Sequence, residues 1–169
     1  DSRNGDRAFR WTSAGMQDLG PAVSRNTSKG VISGGGLLVV GATGTAGGSV
    51  TNDRAFRWTA GTSMVSLGTL QSGWGSWATG VNQNGSLIVG SSGPESHPSN
   101  VRHAFLWASA LGMVDLNTYL PTLGQQIAQD MTGWTLIEAH AISSDGLTIV
   151  GYALNEIGEP EAWLALLVP

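Results

Sequence analysis

The chain has no cysteine. That excludes disulfides, a thiolate nucleophile and any cysteine-ligated metal. Lysine is almost missing: Lys29 is the only one among 8 basic residues, set against 12 acidic residues for a net charge of −4. An electrostatic footprint for nucleic acid needs a basic face, so nucleic-acid binding is not expected. Charged residues make up 12% of the chain, about half the usual share. No apolar run approaches the 18 residues that a membrane-spanning helix needs. Intrinsic disorder requires high charge and few aromatics, and this chain has the reverse. No Gly-x-Ser-x-Gly elbow marks a serine nucleophile.

What is present is glycine, 25 of 169 residues, together with abundant Ser and Thr and seven Trp. This length fits one domain. Freedom from cysteine in a Gly/Ser/Thr-rich chain points to the outside of a bacterium rather than to a disulfide-stapled eukaryotic module. The opening Asp1-Ser2-Arg3-Asn4-Gly5 carries no signal-peptide pattern, and the expectation is a processed or excised segment.

Internal repetition dominates the sequence. Asp6-Arg7-Ala8-Phe9-Arg10-Trp11-Thr12 returns as Asp53-Arg54-Ala55-Phe56-Arg57-Trp58-Thr59, and again as Arg102-His103-Ala104-Phe105-Leu106-Trp107-Ala108. Glu161-Ala162-Trp163-Leu164-Ala165 is a degenerate fourth copy. The three full copies continue into Gly15-Met16-Gln17-Asp18-Leu19-Gly20, Ser63-Met64-Val65-Ser66-Leu67-Gly68 and Gly112-Met113-Val114-Asp115-Leu116-Asn117. Between them lies a second block ending in Val39-Val40-Gly41, Ile88-Val89-Gly90 and Ile149-Val150-Gly151. Five residues before each of those glycines stands another, Gly36, Gly85 and Gly146. Asn84-Gly85 and Asp145-Gly146 predict type I′ hairpin turns.

Each unit therefore reads as two hairpins, Val/Ile–turn–Ile-Val-Gly and Ala-Phe-x-Trp–turn–Met-x-x-Leu-Gly. The aromatics two apart in Ala-Phe-Arg-Trp share one strand face, and Arg10 or Arg57 takes the other. Four short strands per repeat of about 48 residues predict an all-β, β-propeller-like array of four-stranded repeat blades. The units run approximately 6–52, 53–101 and 102–160, with a partial one at 161–169, in a single repeat domain over 1–169. That is about three and a half blades. Closure is expected within a longer chain or through a homo-oligomer that completes a propeller, with 6–20 and 161–168 as the meeting partners. An open stack is the other outcome. The third unit has an insertion in which Leu120, Leu123, Ile127 and Ala128 fall at helical spacing, predicting a short helix that caps the stack.

The Ala-Phe-x-Trp, Gly-Met-x-Asp-Leu-Gly and Ile-x-x-Asp-Gly-x-x-Ile-Val-Gly pattern resembles the HAF repeats of bacterial extracellular repeat proteins, and His103-Ala104-Phe105 is the tripeptide behind that name. Gly133-Trp134-Thr135-Leu136, Ala141 to Gly146 and Glu161-Ala162-Trp163 are similar to the segment that closes such arrays, often ahead of an autotransporter barrel. The resemblance covers nearly the whole chain. It implies a secreted or surface-displayed propeller-like passenger domain and carries over no catalytic residue.

Candidate functional residues are few. Trp74, Trp77 and Trp134 lie outside the shared strand motifs, so they are the candidate ligand-binding residues, stacking on sugar rings or a protein partner, with plugging of the blade edges as the alternative. Trp11, Trp58 and Trp107 hold one repeat position and are expected in packing. Gly41-Ala42-Thr43-Gly44 resembles a dinucleotide-binding turn, but the helix that mechanism requires does not follow, and an inter-hairpin loop is favoured. His97, His103 and Glu95 offer loose metal-ligand spacing, and a polar structural role for His103 is favoured. Glu156, Glu159 and Glu161 read as a solvated hairpin loop rather than a paired-acid site. Arg7, Arg10, Arg54 and Arg57 are expected to pair with Asp6, Asp18, Asp53 and Asp115. No cofactor or metal is expected.

The function expected is a binding or adhesion module on a bacterial surface, contacting glycan or a surface protein. The alternatives are an extracellular polysaccharide-active enzyme and a structural self-assembling repeat protein.

Overall fold

Strand segments here are short, β-branched or aromatic, and bounded by Gly-rich turns, so each can bury a face only against another sheet. A computed structural model describes residues 9–20, 30–44, 53–94 and 102–167. It is all-β, with four antiparallel sheets taken up in chain order. The first is the hairpin β1 (Phe9–Thr12) and β2 (Gly15–Asp18). The second has β3 (Val31–Ile32), β4 (Leu38–Thr43), β5 (Arg54–Thr59) and β6 (Ser63–Gly68). The third has β7 (Gly75–Val81), β8 (Leu87–Gly93), β9 (His103–Ala108) and β10 (Gly112–Asp115). The last has β11 (Thr135–Ile142), β12 (Thr148–Leu154) and β13 (Pro160–Leu166). Each complete sheet joins the Ile-Val-Gly hairpin of one sequence unit to the Phe-x-Trp hairpin of the next, so sheets and sequence units are out of phase by half a repeat.

Both repeat motifs form the hairpins their patterns predict, but the turns differ from expectation. A type I′ turn needs positive φ at both central residues. Among the described residues Ser63 is the only non-glycine with positive φ, so Asn84 and Asp145 do not supply it. The loops are instead four residues long, built on a type I turn with glycine in the left-handed region after it. Gly36 N–H donates to Ser33 O, Gly85 N–H to Asn82 O and Gly146 N–H to Ser143 O, at 2.8, 3.1 and 2.9 Å. Ser33, Asn82 and Ser143 each also accept, through a side-chain oxygen, the N–H five residues on. Asn84 and Asp145 fold their side chains onto the N–H two residues ahead. Local side-chain hydrogen bonds thus replace the I′ geometry.

Sheets stack face to face in sequence order. The Phe-x-Trp face of each sheet meets the sheet before it: Phe56 and Trp58 pack with Leu19, and Phe105 packs with Val40 and Ala55. The opposite face meets the sheet that follows, as Ala104 and Leu106 do against Ala139 and Ile149. The glycine of each Ile-Val-Gly lies directly across the strand pair from the aromatic, Gly41 opposite Phe56, Gly90 opposite Phe105 and Gly151 opposite Trp163. A Cβ on Gly90 would come within 2.8 Å of the Phe105 ring, and one on Gly151 within 2.7 Å of the Trp163 indole. Each glycine is therefore the seat on which the ring lies, and Gly41 is mid-strand rather than part of a nucleotide loop.

Arg10 and Arg57 differ from the expected acid pairing. Arg10 lies 4.8 Å from the centre of the Trp58 ring and Arg57 5.3 Å from Trp107, so each arginine reaches onto the next sheet's tryptophan. Each such contact is worth about 0.5–1 kcal/mol at partly exposed sites. Where the fourth copy puts Ala165 in place of that tryptophan, the preceding sheet puts Leu106 in place of arginine, and both join one apolar cluster. Arg7 and Asp6 lie outside the described residues, as do His97, Glu95 and the loop after Gly44.

The stack is open at both ends among the described residues. Trp11, expected in packing, is 72% exposed, with Phe9 and Met16 beside it, because no sheet covers that face of the first hairpin. On the far face of the last sheet Val150, Leu164 and Leu166 are exposed. The predicted helix is broken into α1 (Leu116–Tyr119), a 3-10 turn over Leu120–Leu123 and α2 (Gln125–Asp130). Pro121 falls in the 3-10 turn, and Gly124 separates it from α2 in an extended conformation. This insertion does not cap the end. Leu116, Leu120 and Ile127 pack into the cluster between the third and fourth sheets, where the last sheet has three strands among the described residues.

Gly90→Ala should cost about 3 kcal/mol in urea unfolding, the upper end for overpacking, since neither the ring nor the backbone behind it can give. Gly35→Ala, where a Cβ meets nothing within 4 Å, should stay within about 0.5 kcal/mol.

Candidate functional site

The three tryptophans singled out from sequence lie in different surroundings. Trp77 is buried in β7. Its indole N–H donates to Asp53 Oδ2 at 3.2 Å, and Arg102 sits 4.2 Å from the ring centre. With its N–H used and its ring covered, Trp77 joins the second sheet to the third and offers no stacking face. Trp74 is half-buried and meets the His103 ring edge-on at 5.6 Å. Its carbonyl accepts from Arg54 at 3.1 Å. Trp134, just ahead of β11, is half-buried and lines a cleft of about 330 Å³.

That cleft is formed by the insertion on one side and β13 on the other. Leu120, Ile127, Met131 and Trp134 supply an apolar wall, and exposed Asp130 contributes charge. Five consecutive residues of β13, Ala162 to Leu166, make the opposite wall. Alternate side chains of a strand point to opposite faces. A strand that lines a cleft with consecutive residues presents its edge, and so its backbone, to that cleft. β13 is an edge strand: the last sheet is ordered β11-β12-β13, with no counterpart of β6 or β10 among the described residues. The indole N–H of Trp163 is buried and has no hydrogen-bond partner among the described residues.

A second polar constellation joins the third and fourth sheets. His103 Nδ1 lies 2.6 Å from Asp115 Oδ2. The other Asp115 oxygen accepts from the Asn117 backbone and side chain, capping α1. Asn117 in turn brackets Leu136 of β11, donating to its carbonyl at 3.0 Å and accepting its N–H at 2.7 Å. This amide behaves as a piece of strand. The hydrogen bond to Asp115 holds His103 above its ordinary pKa; burial partly opposes it and the Asp115 charge adds to it. Burial pushes Asp115 up, but the hydrogen bonds from His103 and Asn117 outweigh it and leave its carboxyl below the usual range. His103 thus has the structural role expected for it. No group of three or more His, Cys, Asp or Glu among the described residues is arranged to hold a metal. Glu156 and Glu159 sit on an exposed hairpin loop organised by Asn155, whose side-chain oxygen accepts from Ile157 and Glu159, and Glu161 lies at the start of β13, where it accepts from the Asn155 amide.

The cleft went unrecognised in the sequence because it is made by an insertion and by a sheet edge that no other strand among the described residues covers. The available signals were Trp163 in a degenerate copy and the apolar spacing of Leu120 and Ile127. No family model, no curated protein and no solved structure matches this chain. No helix among the described residues is long and apolar enough to cross a membrane.

The His103–Asp115 pair makes stability pH-dependent in two limbs. A raised histidine pKa stabilises fully below its unfolded value, and that gain is lost as pH rises through the folded value. A lowered aspartate pKa stabilises above its unfolded value, and that gain is lost as pH falls through the folded one. Thermal unfolding should therefore show a maximum in mild acid, between the two. The alkaline limb should be worth no more than about 1 kcal/mol, because solvent still screens this half-buried pair. His103→Gln should flatten that limb in a pH series of melts.

Proposed function

We propose that this chain is a propeller-like repeat domain of the HAF-repeat type, displayed on a bacterial surface, and that it works as a binding or adhesion module for a protein partner. The observation that carries the reading is the cleft between Trp134 and β13. It combines an apolar wall with an exposed strand edge. Sugar-binding sites set polar side chains around an aromatic platform to bond the ring hydroxyls, whereas protein partners are held by apolar anchors and backbone pairing. Here the wall is leucine, isoleucine, methionine and tryptophan, which favours protein over glycan. Repeated paired hairpins, a cysteine-free Gly/Ser/Thr-rich composition and the HAF-like motifs support surface display.

Self-assembly, the rival reading, has its own observation. The exposed Phe9 and Trp11 hold the repeat positions by which Phe56 and Trp58 dock on the preceding sheet, and exposed Val150 and Leu164 hold the positions that receive such a face. A homo-oligomer completing a ring would use both ends.

Beads coated with the chain should adhere to target cells, and Trp134→Ala should reduce retention about tenfold. Protease treatment of the target surface should abolish adhesion, and glycosidase treatment should leave it. Specific hits on a glycan array, lost in Trp134→Ala, would replace the protein partner with a glycan. Light scattering that shows mass above one chain, reduced by Trp11→Ser, would favour assembly.

A further inference from the structure

Among the described residues the last sheet has three strands, one fewer than the second and third sheets. In each of the other sheets the strand after Phe-x-Trp carries methionine directly opposite the tryptophan: Met16 opposite Trp11, Met64 opposite Trp58, Met113 opposite Trp107. The leucine three residues on is buried in the interface with the following sheet, as Leu19, Leu67 and Leu116 show. In the last sheet the tryptophan position is Ala165, which is smaller, and it lines the cleft with Met131 and Trp134.

The backbone of β13 is equally poised. Leu167 N–H donates inward to Leu147 O at 2.7 Å. Antiparallel ladders alternate inward and outward residues. Ala165 and Trp163 therefore bond to β12, while the N–H and C=O groups of Ala162, Leu164 and Leu166 face away from it. All three of these residues are exposed. The same position in the second sheet shows what such a group does when it has company: Ala55 N–H points away from β4 and donates to Ser76 Oγ at 2.8 Å.

We infer that the cleft binds an extended segment of a partner protein by strand addition to β13, and that the segment carries this repeat's own fourth-strand pattern, Gly/Ser-Met-x-x-Leu. The main chain of the segment pairs with Leu164 and Leu166. Its methionine stands opposite Ala165 and fills the space before Trp134 and Met131. Backbone pairing supplies affinity in such complexes, and pockets for alternate side chains supply selectivity. An exposed edge of this kind is a template for another chain. The inference rests on the protein-binding reading of the cleft and adds the mode and the sequence preference.

The test uses the full chain and a fluorescein-labelled peptide with the sequence of residues 61–69, Gly-Thr-Ser-Met-Val-Ser-Leu-Gly-Thr. Anisotropy should show saturable binding, weakened at least tenfold when the peptide methionine is replaced by aspartate. Leu164→Pro removes one outward N–H at an edge position that tolerates proline, and should weaken binding at least tenfold while the melting curve confirms folding. Hydrogen exchange needs no variant: the peptide should slow exchange at Leu164 and Leu166, the positions that pair with the fourth strand in complete sheets. Absence of peptide binding would overturn the inference. Binding that Trp134→Ala abolishes without protecting those amides would overturn strand addition and leave the protein-binding cleft standing. Binding indifferent to both Trp134→Ala and Leu164→Pro would overturn both.

Discussion

Everything in this structure depends on an aromatic ring lying across a glycine. Phe56 on Gly41, Phe105 on Gly90 and Trp163 on Gly151 are cross-strand pairs in which one partner has no side chain. The ring can then lie flat against its own sheet and still offer its outer face to the sheet before it. That arrangement sets the spacing of the stack. It also explains why the Ile-Val-Gly and Phe-x-Trp motifs recur together, since each is useless without the other. Packing of this density tolerates little added volume.

From that constraint the polar features follow. The residue between Phe and Trp points to the following sheet, so an arginine there can lie on the next tryptophan, and a leucine serves where alanine takes its place. Trp77 and Asp53 tie the second sheet to the third, and His103, Asp115 and Asn117 tie the third to the fourth. Polar side chains in these interfaces are spent on joining sheets. Among the described residues the repeat is incomplete at the edge of β13, with the insertion beside it.

The repeat made the strands, their pairing and the shared face of Phe56 and Trp58 legible in the sequence. The turns were misread because Asn84-Gly85 and Asp145-Gly146 suit a type I′ turn as a dipeptide, while Asn82 and Ser143, two residues earlier, impose a longer loop with their side chains. Trp77 was indistinguishable from Trp74 by spacing; what separates them is Asp53 and Arg102, which only the fold brings to it. Repetition predicted burial for Trp11, but a repeat position is buried only when its neighbouring sheet is present. Trp134 was found by standing outside the motifs. Its partners Met131 and Trp163 were not, because a cleft between an insertion and a sheet edge has no motif of its own.

The most direct test is residue-resolved amide exchange on the free chain. Ala162, Leu164 and Leu166 of β13 should exchange much faster than Arg57 and Leu106, whose outward N–H groups point toward β6 and β10 at the equivalent place in complete sheets. Fast exchange confined to β13 is the result this account predicts. Equal protection at all these amides would mean that the edge is already covered, and would contradict an open cleft as the binding surface.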